Sequence, residues 1–121
     1  IDDSIVRGTT TGQIVSMLHG AGARTVHVLV SSPPVLYPDF YGINTPSQTE
    51  LIAANKSLEE ICAHIGADSL GYLSVEGLVM STGIPQGHLN LSCFTGEYPI
   101  SIGEKALSIR KMAFGKRAVL V

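Results

Sequence analysis

Asp2-Asp3-Ser4-Ile5-Val6-Arg7-Gly8-Thr9-Thr10-Thr11 sets two acids, one glycine and a run of hydroxyls immediately ahead of a segment with helical periodicity. Ionised Asp2 and Asp3 only accept hydrogen bonds, so they suit a vicinal diol or magnesium-bound water and repel a phosphate. Gly8 lets main chain approach a ligand closely, while Thr9, Thr10 and Thr11 offer donors to an anion. Where such a turn opens a helix at the carboxyl end of a parallel strand, the unpaired N–H groups of the first helical turn add to that donor set. Taken singly, Asp3 and the threonines read better as caps of turn and helix. The ordered string favours a binding loop, with a sugar over the acids and its phosphate over the turn.

Working outward, Ile14, Val15, Leu18 and Ala21 recur at helical spacing, and Gly20 and Gly22 supply a stop. Thr25 to Val30 is nearly all apolar and rich in β-branched residues, which predicts an inner strand covered on both faces, ended by Ser31-Ser32-Pro33-Pro34. Thr45-Pro46-Ser47-Gln48 has the form of a capping box and predicts a helix through Leu51 and Ile52. Ser57-Leu58-Glu59-Glu60 repeats that signal for a helix carrying Leu58, Ile61 and Ile65 and stopping at Gly66. Leu70 to Leu73 reads as a short strand, and Ser74 as the cap of a helix from Val75 to Met80 that ends near Gly83. Ile84 to Ile100 reads as loop, 104–112 as a last helix, and Arg117 to Val121 as an apolar strand. Strands alternating with helices predict an α/β fold, Rossmann-like and three-layered, around a mostly parallel sheet.

A chain of 121 residues, 45% hydrophobic and 15% charged, can bury one core and is expected to form a single domain over 1–121. A formal charge of −2 supplies no basic field, which argues against nucleic acid as a partner. No stretch has the length of a membrane span and the start is acidic, so a soluble, cytoplasmic protein is expected. Cys62 and Cys93 are too few for a disulfide framework and are expected to be reduced. His19, His27, His64 and His88 share no ligand spacing.

The string Asp2 to Thr10 resembles the phosphoribosyl pyrophosphate (PRPP) motif of type I phosphoribosyltransferases, and Ser4 to Thr10 is similar to its amidophosphoribosyltransferase form. The resemblance continues in order through Gly20 to Ala23, Val26 to Val28, Ser31 to Pro34, Phe40 to Ile43, Glu50 to Ala53, Ile65 to Leu70 and Cys93 to Pro99. It implies the PRPP-binding part of an enzyme of purine biosynthesis that takes ammonia from glutamine and displaces pyrophosphate from C1 of PRPP, giving 5-phosphoribosylamine. By the same resemblance Asp2 and Asp3 orient the ribose hydroxyls and hold Mg2+, directly or through water. Gly8 to Thr11 hold the phosphate, Ser4 belongs with them to the substrate-binding set, and Arg7 either reaches a phosphate oxygen or braces an acid. Expected partners are PRPP or ribose 5-phosphate, and a homo-oligomer is compatible with the reading.

Three departures qualify that picture. The glutaminase nucleophile is not in this chain, nor are the segments that carry the pyrophosphate loop and the catalytic lid, so no catalytic residue is assigned and turnover by the chain alone is doubtful. At the positions where some members hold an iron–sulfur cluster stand Asp39, Asn90 and Cys93, leaving one thiolate, so no cluster is expected. The apolar strand that precedes the acid pair in the family has its counterpart at the opposite end, 115–121, as though the order were circularly permuted. That reading predicts that 117–121 lies parallel beside Thr25 to Val30 and feeds the loop at 1–11. The alternative function is an inactive permuted or minimal phosphoribosyl-binding module. A transferase acting on a free base fits less well, since no aromatic stacking loop is assignable.

Overall fold

The apolar run after Arg24 forms β1 (His27–Val30), which pairs in parallel with β2 (Ser69–Leu73) in the register Val28 to Leu70 and Val30 to Tyr72. This is a computed structural model, and it describes residues 1–42 and 45–111 together with the backbone of 119–120. A third strand, β3 (Val119–Leu120), pairs in parallel with β2 opposite Tyr72 and Leu73, giving the order β1-β2-β3. On the free edge of β1, Asp2 forms a parallel bridge to Val30: its amide donates to Leu29 O at 2.9 Å and its carbonyl accepts from Ser31 N at 3.0 Å. The expected α/β class with a parallel sheet is therefore what these strands build.

Helix α1 (Thr9–Gly20) leaves the loop and packs against α3 (Leu58–Ile65), which in turn lies on β2. Val15 from α1 and Ile61 and Ile65 from α3 join Val28, Val30, Leu70 and Tyr72 in one buried cluster with Ile5. The strand alternation follows: Val28 and Val30 are buried while His27 and Leu29 are exposed, Leu29 at 47%. This corrects the expectation of a strand covered on both faces. The opposite face, bearing Leu29, receives only a thin layer. There α4 (Val75–Thr82) starts over Leu73, with Gly77 so close that a Cβ would meet Leu73 Cδ1 at 2.9 Å, and no residue of α4 is buried. A nearly all-apolar sequence therefore did not distinguish a two-sided strand from a one-sided one.

Local signals determine α3 and α4. Ser57 caps α3 by accepting from Glu60 N, and Glu60 returns the bond to Ser57 N at 2.7 Å. Gly66 ends the helix in the left-handed region at φ 73°. Ser74 accepts from Gly77 N at 2.8 Å, and Gly83 closes α4 in the same manner as Gly66. Replacing Ser57 by alanine leaves the Glu60 amide without this partner and should cost about 1 kcal/mol, read as a lower urea midpoint at unchanged slope. An unchanged midpoint would mean that the box contributes nothing in this context.

The helix expected through Leu51 and Ile52 is instead broken. A 3-10 turn (Gln48–Glu50) gives way to an extended Leu51 (φ −73°, ψ 115°), and α2 (Ile52–Asn55) begins afresh. The cause lies in the loop at the other end of the sequence. Ile52 N donates to Val6 O at 2.9 Å, so it is not available to continue the helical ladder. Asn55 repairs the break, its Nδ2 donating to the carbonyls of Gln48, Thr49 and Leu51 at 2.8–3.0 Å.

Three further expectations need correction. The segment after Ile84 carries a short 3-10 turn (Gln86–His88) and α5 (Ser92–Thr95) within its loop. The last helix is a 3-10 segment (Gly103–Ser108) followed by extended Ile109, and Met112 lies outside the described residues. The tail strand is parallel as expected, but its neighbour is β2. With β1 and then Asp2 on the far side of β2, Val119 and Leu120 do not lie beside Thr25 to Val30 and do not run into the loop at 1–11. The outer edge of β2 offers unpaired main-chain groups, and the tail satisfies them there. Residues 115–118 and 121 lie outside the described residues.

Candidate functional site

The decisive local event is at Gly8, whose φ of 80° and ψ of −4° turn the chain from the end of the Asp2 segment into α1. Only glycine takes that conformation without strain. It also lies close to its surroundings, since a Cβ there would meet Ile52 Cδ1 at 3.0 Å, His64 Cδ2 at 3.2 Å and Ile65 Cγ2 at 3.4 Å. Ile5, 1% exposed, pins the loop to the core on the other side. The first helical bond of α1 runs from Gly12 N to Gly8 O at 2.9 Å, and Gly8 supplies no side-chain cap. The amides of Thr9, Thr10 and Thr11 thus stand ahead of the ladder, the arrangement that receives an anion.

Ser4, Val6, Arg7, Gly8, Thr9, Thr10 and Thr11 line one concavity of about 270 Å3. Of the eight residues singled out from the sequence, six meet there, and Asp2 and Asp3 stand beside it. Asp2 is half-buried and tied down: Oδ2 accepts from Thr11 Oγ1 at 2.7 Å and Oδ1 from Asp3 N at 3.0 Å. Asp3 is exposed, and its Oδ1 accepts from Ser4 N at 2.6 Å and Ser4 Oγ at 3.4 Å. The buried Thr11 hydroxyl is therefore used as a brace between helix and acid, so what Thr11 can offer an anion is its amide. Thr9 and Thr10 are exposed.

Arg7 braces an acid, but not one of the pair. Its Nη2 and Nε donate to Glu50 Oε2 at 2.9 and 3.3 Å, and Ser47 Oγ donates to Glu50 Oε1 at 3.1 Å. The hydrogen bond from Arg7, reinforced by that from Ser47, holds the Glu50 carboxyl below the usual carboxylate range. Both side chains of the pair are about half exposed. Glu50, Ile52 and His64 are thus parts of the loop's surroundings that sequence reasoning did not find. They lie 43 to 56 residues beyond Arg7 and Gly8 in the chain, and no local pattern marks them. The only available signal was that Glu50 and Ile52 fall inside the Glu50-Leu51-Ile52-Ala53 stretch.

Asp39 and Asn90 lie in loops and Cys93 in α5. Burial, with the Asp39 charge adding to it, pushes the Cys93 thiol up to about 11, so it stays protonated at neutral pH. Asn90 Oδ1 accepts from Ser92 N at 3.1 Å. Cys62 Sγ donates to Ala67 O at 3.1 Å, and burial raises its thiol as well. Among the described residues no group of three or more His, Cys, Asp or Glu side chains could hold a metal ion on its own. A cation at Asp2 and Asp3 would draw the rest of its oxygens from water and ligand. Among the described residues no helix is long and apolar enough to cross a membrane.

No protein-family model matches the chain. Curated relatives do. It is 55% identical over 106 residues to an amidophosphoribosyltransferase of Bacillus subtilis, covering 84% of this chain and 22% of that protein. It is 51% identical over 105 residues to one of Synechococcus elongatus, covering 87% and 21%. Among solved structures it is similar to the allosteric regulatory enzyme of purine biosynthesis, with a TM-score of 0.77, 49% identity and coverage of 90% of this chain and 25% of that one. The glutamine PRPP amidotransferase from B. subtilis, complexed with ADP and GMP, aligns at a TM-score of 0.75 with 53% identity, covering 84% and 23%. The chain therefore spans between a fifth and a quarter of the relatives it matches.

Proposed function

Because this chain belongs, over most of its length, with part of the amidophosphoribosyltransferases, we propose that it is the PRPP-binding core of such an enzyme, and that residues 2–11 receive the phosphoribosyl group. The whole reaction turns PRPP and glutamine into 5-phosphoribosylamine, glutamate and pyrophosphate, the first step of de novo purine synthesis. This chain's share of it is binding. The observation that carries the reading is the set of Thr9, Thr10 and Thr11 amides ahead of the α1 ladder, opening on a concavity with the acid pair at its side.

The division of labour follows from charge. A 5-phosphate sits over Gly8 to Thr11, where main-chain donors are concentrated, with Ser4, whose amide and hydroxyl are bonded to the Asp3 carboxylate, at its margin. Asp2 and Asp3 accept from the ribose hydroxyls, and Thr11 keeps Asp2 from rotating away. Mg2+, when bound, neutralises the pyrophosphate, and Asp2 and Asp3 are the residues that would hold it, through water together with ligand oxygens. Binding energy from the remote phosphate fixes C1 for attack by ammonia. The setting proposed is the cytoplasm, with free nucleotide-pathway metabolites as ligands and no nucleic acid or membrane partner.

Calorimetry with ribose 5-phosphate, and with PRPP in the presence and absence of Mg2+, tests the site. Saturable heat at millimolar ligand or below is expected, with PRPP gaining affinity from Mg2+. No heat at millimolar ligand would remove the reading. Binding without phosphoribosylamine formation from ammonia would assign the chain a ligand-binding role alone, whereas product formation would restore it as a catalyst.

A further inference from the structure

Arg7 enters the phosphate concavity with one edge of its guanidinium already taken. The group has two hydrogen-bonding edges, Nε with Nη2 and Nη1 with Nη2. Glu50 Oε2 occupies the first, at 3.3 Å from Nε and 2.9 Å from Nη2. The second edge is left for another acceptor, and its two parallel N–H groups have the spacing of a phosphoryl face. Glu50 is itself held from behind by Ser47 Oγ at 3.1 Å, within the 3-10 turn (Gln48–Glu50) and its N-cap. Just beyond that turn the start of α2 is joined to the loop twice more, by Ile52 N donating to Val6 O at 2.9 Å and by Ile52 Cδ1, which lies 3.0 Å from where a Gly8 Cβ would be.

We infer that Glu50 is a positioning residue for the phosphate site: it fixes the Arg7 guanidinium by one edge so that the other edge faces an anion in the concavity lined by Ser4 and Gly8 to Thr11. The inference rests on the phosphate reading of the loop and adds a residue to it. Glu50 does not touch the anion. A negative charge near an anion site would ordinarily repel the ligand, and here it is spent on Arg7 while Ser47 orients its second oxygen. A flexible arginine that must be ordered on binding loses rotamer entropy at that moment; one already held loses less. Glu50 thus contributes to affinity through Arg7 alone, and this makes the claim separable from a general effect on folding.

A double-mutant cycle with inorganic phosphate and ribose 5-phosphate as probes, followed by 31P NMR titration of the full chain, tests this. Glu50→Ala should weaken ribose 5-phosphate roughly three- to fivefold, the range of a half-exposed ion pair. Glu50→Gln, which keeps an acceptor for Arg7, should recover part of the loss and serves as the variant least prone to misfold. In an Arg7→Ala background Glu50→Ala should change affinity by less than about 1.5-fold, since nothing remains for it to position. An equal effect of Glu50→Ala in both backgrounds would overturn the positioning role and leave the site standing. Tighter binding by Glu50→Ala would show that the carboxylate competes with the ligand for Arg7, which also overturns it. Failure of the unaltered chain to bind either probe would remove the site, and the inference with it.

Discussion

Gly8→Ala is expected to weaken ribose 5-phosphate by about tenfold or more, the value of a lost hydrogen bond to a charged group, and to lower stability by about 1–3 kcal/mol. Two effects converge on this position. The backbone lies at φ 80°, where an L-side chain is strained. The added Cβ would also press on Ile52 Cδ1 at 3.0 Å and His64 Cδ2 at 3.2 Å. Ile52 cannot simply swing aside, because it is 6% exposed and its amide holds Val6 O. The loop must therefore give, and the amides of Thr9 to Thr11 tilt away from a common focus. Gly12→Ala supplies the contrast. It lies inside α1, where a Cβ meets Ile65 Cα at an ordinary 3.7 Å, so helix propensity favours alanine there and affinity should hold. Paired calorimetry and thermal unfolding read both variants. Gly8→Ala binding within twofold of the unaltered chain at an unchanged Tm would show that the αL turn is not what aligns the amides.

The contrast between these two glycines also marks how far the sequence could be read. Features whose cause lies within one turn of the residue were legible: the Ser57 and Glu60 box, the Gly66 and Gly83 stops, and the Asp2 to Thr11 string leading into α1. Features whose cause is a distant partner were not. The Thr45 to Gln48 signal was sound as a local propensity, yet the helix breaks at Leu51 because Val6 O claims the Ile52 amide. Arg7 could be foreseen as charge near a phosphate or an acid, but its acid is Glu50, 43 residues on. The apolar composition of β1 could not say which face is covered, since coverage depends on where α1 and α3 lie. The tail was recognisable as a strand, but its pairing with β2 was not, because two apolar residues carry no register information.

The largest loss of stability is expected from Gln48→Leu, a change that nothing in the local pattern would flag. Gln48 is 7% exposed, and its amide makes three bonds: Nε2 to Leu36 O at 3.0 Å, Nε2 to Arg110 O at 2.9 Å, and Oε1 from Arg110 N at 2.9 Å. The last two lock the main chain of Arg110 to a residue 62 positions earlier, in the way one strand pairs with another. Leucine fits the volume but leaves Leu36 O and both main-chain groups of Arg110 without that partner. Each buried orphan costs about 1–3 kcal/mol, and with partial rescue by water at the Arg110 side a total of about 2–4 kcal/mol is expected. Gln48→Glu should do no better at neutral pH. A carboxylate can still accept from Arg110 N, but it faces the carbonyls of Leu36 and Arg110 with no proton to donate. Urea unfolding gives the loss. Limited trypsin digestion locates it, because release of Ile109 and Arg110 should loosen the main chain beside the exposed Lys105, Arg110 and Lys111 and let it be cut before the rest of the chain. A Gln48→Leu protein within 0.5 kcal/mol of the parent (the margin of a surface change), with the 105–111 segment cleaved no faster, would show that this segment is held by its apolar contacts and that the amide adds nothing.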